Sequence, residues 1–364
     1  MSLSSTAFVI QCQLFPMLED EIGILSDKSK RFIAVVELSD VERFMGPFRW
    51  VLVGRKPEDR LPIAKAFIAK FIWNFTSTRA LIDYLQSCPS LRRLCGWNCV
   101  SEIPSESTFC RAFADFADFH LPEKIHEAMI KDNLANVVVG HISRDATAIP
   151  AREKPVANPE PVPVTPKKRG RPCKGQIVEP IPPKRLELQL NRSLAENLLD
   201  LPTVCNCGTK KNAQGFKESW IGYKLHLDVI DGDIPVSAIL TSASVHDSQV
   251  SIPLAQMSDQ RLSAVCYDLM DAAYDAEEIR TFSRQLGHVP IIDPNPRRGE
   301  KIPFEPATAR RFKQRTSVER VNSQIKDNFG AMFVRVRGAT KVMCHLMFGV
   351  LACAAIQLLQ RLSG

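Results

Sequence analysis

Residues 222–242 read GYKLHLDVIDGDIPVSAILTS, and this stretch decides the fold. Two runs rich in Val, Ile, Leu, Tyr and Thr flank Asp231-Gly232-Asp233. β-branched and aromatic residues suit a pleated, half-buried surface, and a short Asp/Gly segment supplies the positive-φ positions that a tight reversal needs. The stretch is expected to be a β-hairpin. Upstream, VVVGHISRDATAI (137–149) has the same character and reads as a strand. Downstream, 245–257 can hold a helix, AVCYDLM (264–270) reads as a strand, and 276–286 as a helix. HVPII (288–292) is then a short strand and 310–329 a long helix. Strands interleaved with helices predict an α/β fold, a mixed sheet flanked by helices.

The chain ahead of this region has a different period. Residues 1–135 read as mostly helical after an irregular start. In IAKAFIAKFIWNFTSTRALIDYL (63–85), apolar residues recur at three- and four-residue spacing around a polar NFTST break. Gly96 is a helix stop, and a serine or threonine within 105–108 can cap the run FCRAFADFADF (109–119). A helical N-terminal domain, 1–135, is expected before an α/β domain, 136–364. Residues 151–185 hold nine of the 25 prolines and cannot be a helix or a central strand. A flexible, extended insertion at about 151–200 is expected there. The apolar run Val342–Leu359 contains His345 and Gln357 and would barely cross a bilayer. It reads as a buried helix, with no membrane partner.

Composition bounds the rest. The 364 residues are 45% apolar and 24% charged, enough for a sizeable core without staples. The 11 cysteines are scattered without a CxxC pair, which fits reduced thiols rather than disulfides. Cys205 and Cys207 have no second pair near them to complete a zinc site. The opening MSLSSTAFVIQCQLFPM lacks a basic start and a cleavage site, so a cytoplasmic location is expected. Net charge is +7, but residues 151–185 alone carry +6 and 293–326 carry +5. Positive charge gathered into two segments suits a polyphosphate partner.

The second basic segment leads into a patterned helix. Phe312, Arg315, Glu319 and Lys326 are spaced by three, four and seven residues. At 100° per residue they fall within an arc of about 60° on one face. A solvated stripe with an i,i+4 Arg–Glu pair would look the same. Phe312-x2-Arg315-x3-Glu319-x6-Lys326 resembles the Y-R-E-K signature of DDE transposases from bacterial insertion sequences, with Phe in place of Tyr. Ser143-Arg144-Asp145-Ala146-Thr147 resembles the first catalytic strand of that family. Asp271-Ala272-Ala273-Tyr274-Asp275 resembles its D-x-G-Y block, with Ala273 for Gly. Ser244-Val245-His246-Asp247-Ser248 resembles the block after the hairpin, and the matches run over roughly residues 45–360.

The resemblance implies an RNase H-like catalytic fold and a DNA transposase with Asp145, Asp271 and Glu319 as catalytic, metal-binding carboxylates. It implies two Mg²⁺ ions, replaceable by Mn²⁺. The partners implied are double-stranded transposon ends and target DNA, bound by a homodimer in the bacterial cytoplasm at the nucleoid. The chemistry fits the residue types, because Mg²⁺ takes hard oxygen ligands and two such ions activate the attacking oxygen and stabilise the leaving one. Asp268, inside AVCYDLM, rivals Asp271 as the second carboxylate. Asp247, Asp275 and Asp293 read as turn, capping or surface residues, and His246 as structural or substrate-touching.

DNA contacts are expected from Phe312, Arg315, Lys326 and Lys313 on the helix segment, and from Arg297 and Arg298 before it. Lys167-Lys168-Arg169-Gly170-Arg171-Pro172 resembles an AT-hook, whose Arg169 and Arg171 would enter a narrow minor groove. A charged linker has the same composition. Two further readings stay open: an inactive, transposase-derived DNA-binding protein, and an RNase H-like nuclease without strand transfer.

Overall fold

The computed structural model describes residues 3–52, 54, 56–156, 182–211, 214–296 and 303–363. Eight helices come first: α1 Leu3–Val9, α2 Phe15–Ile22, α3 Asp27–Ser39, α4 Arg60–Ile72, α5 Thr78–Ser87, α6 Pro89–Cys95, α7 Glu106–Asp118 and α8 Leu121–Leu134. Side-chain caps begin several of them. Ser26 accepts from the Ser29 N–H, Asp59 from Leu61 and Ser77 from Ala80, each satisfying a donor the helix leaves free. α6 stops at Gly96, whose φ of 111° suits a residue without Cβ. The expected irregular start is instead helical from Leu3, with one wider turn at Ile10–Leu14. Pro16 lacks the N–H that would continue the helical ladder, and the wider turn falls just before it.

The α/β part follows: β1 Val138–Pro150, α9 Arg185–Gln189, α10 Leu194–Asp200, β2 Asn206–Lys211, β3 Lys217–Ile230, β4 Ile234–Ser242, α11 Ser248–Asp259, β5 Ala264–Met270, α12 Glu277–Gln285, β6 Val289–Ile292, α13 Pro306–Phe312, α14 Thr316–Asn328 and α15 Ala339–Ser363. The hairpin expected at 222–242 forms, with Gly232 and Asp233 at positive φ in its turn. β1 is central. It pairs antiparallel with β3 and parallel with β5, and β6 continues the parallel side. β3 also carries β4 along its second half and β2 along its first.

The flexible insertion expected at about 151–200 is shorter at its C-terminal end. α9 and α10 occupy 185–200, and Ser193 and Glu196 form a reciprocal capping box on α10. Gln189 Nε2 donates to the Gln249 carbonyl and Asn197 Nδ2 to Gln256 Oε1, tying both helices to α11. Residues 157–181, with Arg169 and Arg171, lie outside the described residues.

Side chains alternate along β1 and β3, so the sheet has two distinct faces. Ile149, Tyr223, Leu225, Leu227 and Val229 pack against Val318, Val321 and Ile325 of α14 and Val342, Leu346 and Val350 of α15. Val250 and Leu254 of α11 and the partly buried Leu198 of α10 cover the opposite face through Ile239. α15 is long and apolar enough to cross a membrane, yet 78% of its apolar window is buried inside the protein. Its Phe348 joins Phe67, Phe71, Phe113 and Phe116 of the helical part at ring separations of 5.8–6.5 Å. One helix therefore serves two cores.

Candidate active site

β1 and β5 run parallel with Ser143 level with Leu269. Continued by two residues, that register sets Asp145 level with Asp271, which follows the last residue of β5. Asp271 caps the turn Ala272–Tyr274, its Oδ1 accepting from the Ala273 N–H at 2.9 Å. Asp145 faces α14, where Asn322 Nδ2 donates to its Oδ2 at 3.1 Å. Asn322 is buried, and its Oδ1 has no partner among the described residues. Burial pushes the Asp145 carboxyl up to about 6; the charges of Asp271 and Asp247 add to this, while Arg315 opposes it. Burial also raises Asp271, again helped by Asp247 and opposed by Arg315. The Tyr274 hydroxyl lies in the field of all three carboxylates, is pushed up by burial, and has no partner among the described residues.

The rival Asp268 points elsewhere. It stands three positions before Asp271, an odd offset, and it is buried against His288 Nδ1 at 3.1 Å. Burial works to raise its carboxyl, but the His288 hydrogen bond and the Arg144 charge outweigh it and hold it below the usual range. Arg144, one residue before Asp145, turns to the same far face. There it forms a bidentate pair with Asp228, both contacts 2.7 Å, and donates to Ser251 at 3.0 Å. Asp268 thus belongs to a buried charge network that neutralises Arg144, and Asp145 is left on the other side of the sheet.

The helix after the basic segment is not continuous. A tighter turn, Lys313–Arg315, separates α13 from α14. Phe312 ends α13, where its ring packs on Phe304, ring centres 5.0 Å apart, and lies 5.8 Å from the Arg315 guanidinium. Arg315 Nη2 donates to Glu319 Oε1 at 2.5 Å, and the Glu319 side chain is half exposed. Lys326 is half-buried; burial lowers its pKa, helped by Lys210, while Asp145 acts in the opposite sense. One face of α14 therefore presents Arg315, Asn322 and Lys326 to the Asp145 side. Lys313 is exposed, and Arg297 and Arg298 lie outside the described residues.

Asp247 contributes more than an N-terminal helix position. It stands at the start of α11, pairs with Lys224 at 2.8 Å, and adds its charge to the site. His246 is exposed and bonded to Ser248, and Asp275 is held by Arg280 and the Asn295 N–H. Asn322 is the residue that sequence reasoning missed. It lies three positions after Glu319, so the same 3.6-residue period that gathered Arg315, Glu319 and Lys326 also includes it.

Asp145 and Asp271 offer hard oxygen donors, both raised first by burial, and a bound cation there would favour their charged forms. Among the described residues, however, no group of three His, Cys, Asp or Glu stands in a ligating arrangement. Asp145 and Asp271 fit a divalent ion that keeps several waters. Glu319 is paired with Arg315 instead.

Residues 196–355 match a family described as a transposase DDE domain, and residues 17–115 match one described as a transposase domain (DUF772). Asp271 and Glu319 lie inside the first span, and Asp145 lies between the two. No curated protein and no solved structure matches the chain. With a helical N-terminal part joined to a mixed sheet, the two matched domains indicate a DNA transposase of the DDE type.

Proposed function

We propose that the chain is an RNase H-like DDE transposase that hydrolyses phosphodiesters at transposon ends and transfers the strands into target DNA, with Asp145, Asp271 and Glu319 as its catalytic carboxylates. The observation that carries this reading is the register of β1 and β5, which, continued by two residues, sets Asp145 level with Asp271 on neighbouring inner strands, with both carboxyls raised. Strand order supports the fold, since β1 has an antiparallel meander on one side and two parallel strands on the other. Residues 1–135 would act in DNA binding and assembly and 136–364 in catalysis, on a dimer that pairs two element ends in the bacterial cytoplasm.

Asp145 and Asp271 would hold the metal, with Glu319 swinging in from Arg315. Mg²⁺ or Mn²⁺ bound there supplies activation of the attacking oxygen and stabilisation of the leaving one. Asn322 fixes the orientation of Asp145, as partners of metal ligands commonly do. Arg315, released from Glu319, and Lys326 neutralise the phosphates of the strand being cut. Phe312 and Lys313 would contact element-end DNA beside them, with Arg297 and Arg298 ahead of them in sequence and Arg169 and Arg171 in the minor groove.

The test uses as substrate DNA that carries the sequences flanking the reading frame, searched for inverted repeats. Asp145→Asn, Asp271→Asn and Glu319→Gln are each expected to abolish Mg²⁺-dependent strand cleavage while DNA binding persists. Full cleavage by any one variant removes that residue from the mechanism. Wild-type binding without nicking, at any Mg²⁺ or Mn²⁺ concentration, would mark an inactive derivative. Nicking without joined products would mark a nuclease.

A further inference from the structure

We propose that the two-stranded ribbon of β2, Asn206–Lys211, and the first part of β3, residues 217–222, is a duplex-docking element that seats DNA beside the carboxylate site. The inference rests on the transposase reading above. Beyond Gly222 the sheet narrows to these two strands, because β4 pairs only with residues 223–230 of β3. Two glycines fix the direction in which the ribbon leaves. Gly222 has φ 152°, and a Cβ there would lie 2.1 Å from the Ile149 carbonyl oxygen. Gly208 lies under the Trp220 ring, where a Cβ would come within 2.5 Å. Trp220 is itself anchored, its Nε1 donating to the Tyr223 carbonyl at 3.1 Å. The ribbon is thus held at its base and exposed at its tip.

The tip is built against its own stability. Lys211 and Lys217 stand directly opposite each other across the two strands. Like charges in that relation destabilise an antiparallel pair. Lys210 is one rung nearer the base and meets Glu218 only at 3.8 Å. Phe216, between the strands, is 67% exposed. Lysines on an edge strand can simply discourage edge-to-edge pairing. That role explains neither the repulsive pair nor the exposed ring, whereas an anionic partner with apolar base faces accommodates both. The position fits as well. β3 runs from the ribbon to Leu227, the β1 partner of Asp145, five residues beyond Gly222, and Lys210 and Asp145 both act on the Lys326 ammonium. Six residues of strand extend about 20 Å, and a two-stranded ribbon is of a size that the major groove of B-DNA admits.

The experiment measures binding of the full chain to a 60-base-pair duplex of mixed sequence across a salt series, beside a single strand of equal length. Each phosphate contact contributes about 0.9 to the slope of log affinity against log salt. The triple variant K210A/K211A/K217A is expected to lower that slope on the duplex by about two to three. F216A is expected to weaken binding with the slope unchanged. Melting of the triple variant should be unaltered or slightly raised, since the Lys211–Lys217 opposition is gone.

A folded triple variant with wild-type slope and affinity overturns the proposal, and aggregation without a slope change would show the lysines to be edge protection. An equal loss on the single strand overturns the duplex assignment. Wild-type protein that binds no duplex overturns the transposase reading together with the ribbon, whereas wild-type binding left intact by the triple variant overturns the ribbon alone.

Discussion

At the scale of single residues, Asp145 is defined by what touches it. Sequence spacing gathered Arg315, Glu319 and Lys326 on one helix face, and Asn322 shares that face. The α14 residue that reaches Asp145 is Asn322, one turn further on, while Glu319 stays with Arg315. Periodicity selects a face of a helix but not which residue on it is within reach. Parity was more decisive for Asp268. It and Arg144 point to the far side of the sheet, where Arg144 binds Asp228 and Asp268 binds His288. A hydrogen bond to a charged group is worth about 1.5–3 kcal/mol. Asn322→Ala is therefore expected to raise the Mg²⁺ concentration for half-maximal cleavage about tenfold or more, with DNA affinity unchanged. A metal titration of cleavage measures this. An unmoved midpoint would reduce Asn322 to a packing residue.

At the scale of elements, the legible ones carried strong local signals. β1 and the β3–β4 hairpin declare themselves by β-branched runs and the Asp231-Gly232-Asp233 turn, and α6 by Gly96. The elements that sequence reading passed over are short or stand beside proline-rich sequence. α9 has five residues, α10 seven and β2 six, too few for a period to emerge. The break at Lys313–Arg315 was equally hidden, because a three-residue tighter turn hardly disturbs the spacing of charged residues. α15 was read correctly as buried, but its apolar run could not reveal that it serves two cores. Phe348 sits at the junction, fully buried and ringed by Phe67, Phe71, Phe113 and Phe116. Phe348→Ala is expected to cost about 3–5 kcal/mol, seen as a lowered denaturant midpoint. A loss under about 1 kcal/mol would mean that the helical part and the sheet do not share this core.

At the scale of the whole molecule, buried histidines join parts of the fold that are distant in sequence, and they make its stability depend on pH. His126 on α8 has Nε2 2.9 Å from the Pro235 carbonyl oxygen on β4, so its neutral N–H links the helical part to the sheet. His345 on α15 bonds the Gly330 carbonyl at 3.0 Å with Phe71 against its ring, and His226 on β3 bonds Thr241 at 2.9 Å. Burial lowers His126 and His345 to about 3 and His226 to about 4. Arg261 adds to this at His126, Lys70 at His345 and Lys224 at His226, where Asp247 opposes it. These are bases whose folded pKa lies below the unfolded value of about 6.5, so below that pH the unfolded chain binds protons that the folded chain refuses. Their stability contribution is complete above about 6.5 and is lost as pH falls toward 3–4. Each histidine removes about 1.4 kcal/mol per pH unit within that window. Asp145 acts in the opposite sense, because its carboxyl is raised to about 6 and its protonation relieves the fold as pH falls below that value. Asp271 is raised as well and adds a second gain. Three losses against two gains still leave a net decline, appreciable beside a typical total of about 5–15 kcal/mol. Urea midpoints of the metal-free protein are expected to fall between pH 6.5 and 5, and His126→Gln, which keeps a donor for Pro235 but cannot titrate, should flatten the decline by about half. Midpoints that stay level from pH 7.5 to 5, or a His126→Gln slope equal to wild type, would show that these histidines are not held neutral by the packing that joins the helical part to the sheet.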